Sequence, residues 1–415
     1  MIATQGTMRA LVEDYDVPPM PDASARGPDV TASWITPEHL SAPHLAALVR
    51  AVSNVLSTEP AEFAFAQIID GLPTADSFVE FRPFYPATRD EHPVAKHARL
   101  CDGALDAARQ ALGGTLNPLA LRFDPRVLQG FQDEQEGSRP FLLRLLELVA
   151  VSIHQLAADA YEAGDAQPSL HRSEYESWWA SWRERHEDAT GIDKLDAVAF
   201  PPVPFYHDCY HRHFDQFPRG KADIVGYWAE AKILGGVALF DRGPSELECI
   251  ELLIHGSLYK GPFTIYPPTA AQWNALVAFL TWDPTATTPE HASSPPPCPL
   301  PLRATRDNVP RYTPYFAMKY QHIFRDRFAF RLPERFEQPH HRTLTEVNYP
   351  EREDYLWVVL RLGEKASGAS LPAADEDELQ RRIEVLRACQ PGSPYSYAPW
   401  PDEILQGEGM SLGGR

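Results

Sequence analysis

The chain has 415 residues, enough for two or three domains of ordinary size or for one elaborate one. Hydrophobic residues make up 44% and aromatics 11%, which excludes wholesale disorder, and no uncharged apolar run reaches the ~18–20 residues of a membrane-spanning helix. A formal net charge of −19 opposes diffuse attraction to phosphate or anionic lipid, so any nucleic-acid contact has to be local.

Residues 1–33 mix proline, glycine and acidic groups without periodicity and read as a flexible lead. Met1 to Pro19 has neither the basic nor the apolar region of a signal peptide. A single α+β catalytic-type domain is expected over 34–362, with a helix and tail over 363–415. Its first half is helix-rich: Leu45, Leu48, Val52 and Val55 recur at helical spacing, and Leu100, Leu105 and Leu112 mark a helix ending at Gly113. The strongest signal predicts a buried helix from about Pro140 to Ala163, with proline in the first turn and Gly164 as a left-handed cap. Trp178 and Trp182 share a helical face, and packing against the core is the reading adopted for them over base stacking.

After Phe200 the period changes. Ile233 to Phe240 is almost continuously apolar, Asp241 to Ser245 has turn chemistry, and Cys249 to His255 follows as a second strand, which predicts a hairpin. Phe263 to Tyr266 adds a third strand and Ala271 to Leu280 a short helix, so an antiparallel β-meander is expected to pack with the helix-rich N-terminal half. Proline-rich excursions are part of the same reading: the chain holds 40 prolines, and 283–301 is predicted as an exposed loop. Between 303 and 342, nine basic residues face four acidic ones, a local net of +5. Asp375 to Arg387 reads as an amphipathic helix whose charges suit its dipole.

Five scattered cysteines, Cys101, Cys209, Cys249, Cys298 and Cys389, contain no CxxC pair and point to neither a disulfide framework nor a zinc ribbon; a reducing, cytoplasmic compartment fits them. The densest chemical stretch is 207–215. His207 and His211, four residues apart, offer proton transfer near neutral pH; with Cys209 or Asp215 they also match a metal pair, but no second ligand pair completes it, so no metal is assigned. Tyr227, Trp228 and Glu230 precede the double glycine Gly235-Gly236, which implies a bulge or a closely approached backbone. Asp241 stands at the far end of that strand, and Glu251 and His255 share one face of the next. The run His322 to Phe328 alternates cationic and aromatic groups as a phosphate-contacting edge does. No Walker A loop, Rossmann fingerprint or nucleophile elbow is present, and no cofactor is implied.

Four blocks, Arg144 to Gln155, Gly226 to Gly243, Ile323 to Phe328 and Tyr349 to Tyr355, resemble a large fungal family, some of whose members are arginine-containing cyclodipeptide synthases. The resemblance spans about 140–355. It implies an enzyme that takes arginyl-tRNA and a second aminoacyl-tRNA as partners and needs no cofactor; the lack of a long apolar run adds the expectation of no membrane partner. Under it, His207, His211 and His255 are candidates for proton transfer, and Glu230 and Asp241 for binding the amine or guanidinium. Tyr227, Trp228 and Glu251 would line the substrate site, and Arg325, Arg327 and Arg331 would meet tRNA phosphate. One departure stands out: those synthases carry an Asp-Asp-x-x-Glu motif, and this chain has no Asp-Asp pair. A regulatory interaction protein and a metal-dependent tailoring enzyme built on the histidine cluster are the rival readings.

Overall fold

The structure, a computed structural model, describes residues 33–81, 91–164, 169–186, 201–207, 209–211, 214, 217–256, 261–283, 295–325, 345–389, 393 and 395. Helices α1 (Ala42–Leu56) and α2 (Glu59–Asp70) open the fold, and Thr58 caps α2 by accepting the Ala61 N–H. α2 stops at Gly71, whose φ of 92° disfavours a side chain. Short helices α3 (Ala75–Phe81), α4 (Ala104–Gln110) and α5 (Pro125–Gln132) lead to the long α6 (Arg139–Ala163). α6 begins as its sequence predicts, with Pro140 in the first turn and the Ser138 hydroxyl accepting the Phe141 N–H, but Gly164 at its end keeps a right-handed φ of −72° and is not the expected left-handed cap. It is the one described helix long and apolar enough to cross a membrane, yet 78% of that stretch is buried inside the protein, as in a core helix that is apolar all round. In α7 (Leu170–His186), Trp182 is buried and its ring stacks on that of Trp178 at 6.2 Å.

α8 (Lys221–Leu234) corrects the expectation of a strand beginning at Ile233. Every residue from Ala222 to Ala231 is buried, so this stretch has no solvent-exposed face to set a helical period, and its last apolar residues are indistinguishable from the strand that follows. Gly235, with φ of 100°, ends α8, and the carbonyl of Leu302 packs where a Cβ would stand. Gly236 touches the next strand closely enough that a Cβ would lie 2.5 Å from Ile254. The double glycine is therefore a helix-to-strand turn and not a bulge within a strand.

β1 (Val237–Asp241), β2 (Leu252–His255), β3 (Ile265–Tyr266) and β4 (Ile323–Phe324) form one antiparallel sheet in the order β3-β2-β1-β4. Val237 lies opposite His255, Phe240 opposite Leu252, and Phe240 opposite Phe324. The expected hairpin and third strand are present, and Ile323 and Phe324 of the cationic and aromatic run add β4 to the sheet, while 326–328 of that run lie outside the described residues. α9 (Ala270–Thr281), closed by a Thr269–Gln272 capping box, and α10 (Pro314–Tyr320) fill the intervening chain. The fold is α+β, with the helices of the first half packed against a small antiparallel sheet.

One apolar core runs from Leu40 to Ile323. A second, smaller one gathers Tyr349, Val358, Leu362, Leu379, Ile383, Leu386 and Tyr395. Helix α11 (Arg352–Ala366) consequently packs on α12 (Ala373–Ala388), across the boundary drawn at 362 from sequence.

Candidate functional site

The two most extensively packed helices, α6 and α8, meet at a buried polar network. Asp223, Gly226 and Glu230 succeed one another along one face of α8 at intervals of three and four residues. Gly226 lets the His154 ring of α6 lie against the helix backbone, because a Cβ there would stand 2.7 Å from the imidazole. His154 Nε2 then reaches Asp223 Oδ1 at 2.9 Å and Nδ1 reaches Glu230 Oε1 at 3.0 Å. With a carboxylate at each nitrogen, both carry hydrogen and the ring is an imidazolium. Burial works to lower the His154 pKa, but the hydrogen bonds and charges of Asp223 and Glu230 outweigh it and hold the pKa above its ordinary value.

Glu230 is fully buried. The guanidinium of Arg325, just past β4, donates from Nη1 to both of its oxygens at 2.7 Å and lies over the Tyr227 ring at 5.2 Å. Burial pushes the Glu230 carboxyl upward, and the Arg325 charge and the His154 contact prevail, leaving its pKa depressed. Two carboxylates, one imidazolium and one guanidinium sum to zero, which is how four charges share a site this dry.

Beside this quartet is an aromatic and histidine cluster. The Tyr210 ring stacks on Tyr227 at 4.5 Å, and its hydroxyl meets His255 Nδ1 at 2.9 Å. His255 is buried and desolvation, followed by the neighbouring His207, lowers its pKa well below normal, so a neutral imidazole shares this hydrogen bond with the Tyr210 hydroxyl. Burial likewise drives His207 down to about 4. Its Nε2–H donates to the His255 carbonyl at 3.1 Å and its Nδ1 accepts the Cys209 N–H at 3.1 Å, so neither nitrogen is open to a metal. His211 is buried and turns Nδ1 to the His207 carbonyl at 3.1 Å. The i, i+4 histidine spacing thus stabilises a turn and leaves His207 no nitrogen for a metal; Asp215 lies outside the described residues.

The structure brings His207, His211, His255, Tyr227, Glu230 and Arg325 together and sets Asp241, Glu251 and Trp228 apart from them. Asp241 closes the far end of β1, where its Oδ1 accepts the Gly243 N–H at 2.9 Å and shapes the hairpin turn. Glu251 is exposed, 3.9 Å from Arg139. Trp228 faces away from the network and packs edge-on against Phe205 at 4.8 Å. From its sequence Arg325 is expected at tRNA phosphate; in the structure its guanidinium is paired with buried Glu230 and only a tenth of the side chain is exposed. Arg327 and Arg331 lie outside the described residues. His154, Asp223 and Tyr210 were missed. A seven-residue interval between carboxylates on one face of an otherwise apolar helix, and a histidine amid the apolar residues of α6, were the readable signals.

Arg242, beyond β1, belongs to a second buried ion pair: Nη2 donates to Glu147 Oε1 of α6 at 2.6 Å and to the Arg325 carbonyl at 2.9 Å, fixing the segment that delivers Arg325. A cleft of about 500 Å³ lies elsewhere, between α1 and the proline-rich segment, lined by Asn54, Thr58, Phe279, Trp282, Pro295 and Leu300, and no member of the network reaches it. No family model, curated protein or solved structure matches this chain.

Proposed function

We propose that this protein is an aminoacyl-tRNA-dependent transferase that joins arginine to a second amino acid as a cyclic dipeptide, with the Tyr210–His255 pair moving the proton. The observation that carries the reading is the Tyr210 hydroxyl 2.9 Å from a neutral, desolvated His255, stacked on Tyr227 beside the Glu230–Arg325 pair. The resemblance of the 226–243 and 323–328 blocks supplies the substrate class.

An aminoacyl ester is already activated, so the reaction needs orientation, proton removal and charge stabilisation, and no ATP. The α-amine of one aminoacyl group attacks the ester carbon of the other; a C–N bond forms, the C–O bond to the tRNA ribose breaks, and a second attack closes the ring. His255, kept in its base form by burial, takes the amine proton through Tyr210, and the same phenol returns a proton to the departing ribose oxygen. Burial holds the Tyr210 phenol protonated between turnovers, its pKa well above the ordinary value. Phosphate contact falls to the basic chain beyond Arg325, Arg327 and Arg331 included, because Arg325 is committed to Glu230.

The test is incubation of the purified protein with tRNA, the full set of amino acids and their synthetases, followed by mass spectrometry for arginine-containing cyclic dipeptides. Tyr210→Phe should lower product by about 10²–10⁴-fold, the usual worth of positioned proton transfer, while leaving circular dichroism unchanged. No dipeptide with any amino acid, or undiminished product from Tyr210→Phe, would refute the assignment. A second reading, a non-catalytic interaction protein, is favoured by one observation: the charges of the quartet are fully matched among themselves, as a fold-locking core requires.

A further inference from the structure

Outside the network, four side chains with metal-ligating atoms converge from three parts of the chain. Asp70 ends α2, His97 and Cys101 follow the 3₁₀ turn Pro93–Lys96, and His171 sits in the first turn of α7. One ligand atom from each lies within 4.8 Å of all the others. Two edges of this figure are 3.1 Å: His97 Nε2 to Asp70 Oδ2, and Cys101 Sγ to His171 Nε2.

The local chain builds the convergence. Gly71 leaves room for Ser169, which would collide with a Cβ there, and the Ser169 hydroxyl donates to the Asp70 carbonyl at 2.7 Å, drawing the start of α7 against the end of α2. The Cys101 N–H donates to Asp70 Oδ2 at 2.9 Å and fixes that carboxylate.

We propose that Asp70, His97, Cys101 and His171 form a closed tetrahedral site for a borderline divalent cation of the zinc type. Three observations carry it. Tetrahedral zinc, with bonds of ~2.3 Å to sulfur and ~2.0–2.1 Å to nitrogen or oxygen, separates sulfur from nitrogen by about 3.5 Å and nitrogen from oxygen by about 3.3 Å. The two edges of 3.1 Å need to open by a few tenths of an ångström, and the remaining edges, none longer than 4.8 Å, close onto the ion as it binds. Each histidine also has an oxygen behind its outer nitrogen: the Pro73 carbonyl lies 2.9 Å from His97 Nδ1, and Glu174 Oε2 lies 3.8 Å from His171 Nδ1. The Pro73 bond is the outer shell that orients a metal-bound imidazole and fixes Nε2 as its coordinating nitrogen, and Glu174 stands at ion-pair distance from His171. Lastly, a thiolate and a carboxylate with two neutral imidazoles neutralise a dication, and thiolate with imidazole selects zinc over magnesium or calcium. Binding exchanges the cation for the Cys101 thiol proton and the hydrogen shared between His97 and Asp70, and ties α2, the 97–101 segment and α7 together.

The competing chemistry is a Cys101–His171–Glu174 nucleophile. A nucleophilic thiolate is favoured beside cations, whereas Asp70 presents an anion to Cys101, and His97 has no part in such a triad.

The site is independent of the transferase reading, and so is its test. Chelator-treated, reduced full-length protein is titrated with Co²⁺ and then with Zn²⁺. One cobalt per chain is expected, with intense visible d–d bands of tetrahedral geometry and a near-ultraviolet thiolate charge-transfer band that zinc abolishes. Cys101→Ser should remove the charge-transfer band and, like His171→Asn, weaken zinc by about 100-fold or more, at least what loss of an outer-shell partner costs. Cys298→Ser, at another exposed cysteine, should leave both unchanged. Zinc should also protect Cys101 from iodoacetamide. Absence of the tetrahedral bands at saturating cobalt, their persistence in Cys101→Ser, their loss in Cys298→Ser, or alkylation of Cys101 at the same rate with and without zinc would each overturn the proposal.

Discussion

Replacing Arg325 with alanine tests whether its guanidinium belongs to the core or to a nucleic-acid surface. The variant leaves Glu230 fully buried with His154 as its remaining charged neighbour, and removes two charge-assisted hydrogen bonds of 2.7 Å. Hydrogen bonds to charged groups contribute about 1.5–3 kcal/mol each, and breaking a buried ion pair by removing one partner costs about 3–5 kcal/mol. Both routes give the same loss, a large part of the ~5–15 kcal/mol that holds a domain folded. With a urea m-value near ~3 kcal/mol/M, the unfolding midpoint should fall by about 1–1.7 M. The pH dependence carries a second signature. Glu230 has a depressed pKa, so it contributes stability above its unfolded value and loses it as pH falls through the folded one. His154 has a raised pKa and contributes below its unfolded value, losing that stability as pH rises through the folded one. Without Arg325, burial dominates Glu230, and the acid limb of the stability profile should begin at higher pH. The double variant Arg325→Met with Glu230→Gln should recover part of the loss, since no carboxylate is then stranded. A cost below about 1 kcal/mol with an unchanged acid limb would refute this reasoning and return Arg325 to the protein surface.

Gly226→Ala should destabilise by about 1–3 kcal/mol and shift the His154 imidazole resonances, because the added methyl meets the ring at 2.7 Å with α6 packed behind it; wild-type stability and an unmoved His154 signal would show that the helices can separate freely. Glu351 is buried, and burial raises its pKa against the lowering effects of Ser393 and Arg311. Its contribution is therefore present below the unfolded pKa and lost as pH rises through the folded one, so Glu351→Gln should be neutral at acid pH and stabilising near pH 8 by urea melts; destabilisation at pH 8 would contradict this.

Local pattern was enough to place α6, the β1–β2 hairpin, β3 and the acidic start of α12, because a proline in a first turn, a sustained apolar stripe and a glycine-proline turn act over a few residues. It was also enough to mark Tyr227, Glu230, His207 and His255 as polar groups inside apolar segments. What it left undecided was direction and partnership. Ile233 and Leu234 sit in a helix because α8 is covered on every side by other elements, a fact with no trace in its own periodicity. Arg325 stands among cationic neighbours and looks solvated in sequence; only the pairing of β4 with β1, 84 residues apart at Phe240 and Phe324, turns it onto Glu230. His154 and Asp223 are 69 positions apart, and the Asp70–His171 cluster spans 101, so neither can appear as a motif of fixed spacing. Residue chemistry alone shows which side chains are too polar or too charged to be buried without a partner. Tertiary structure decided which opposite charge each would find, because in a dry interior a carboxylate is stable only where the fold delivers its counterion.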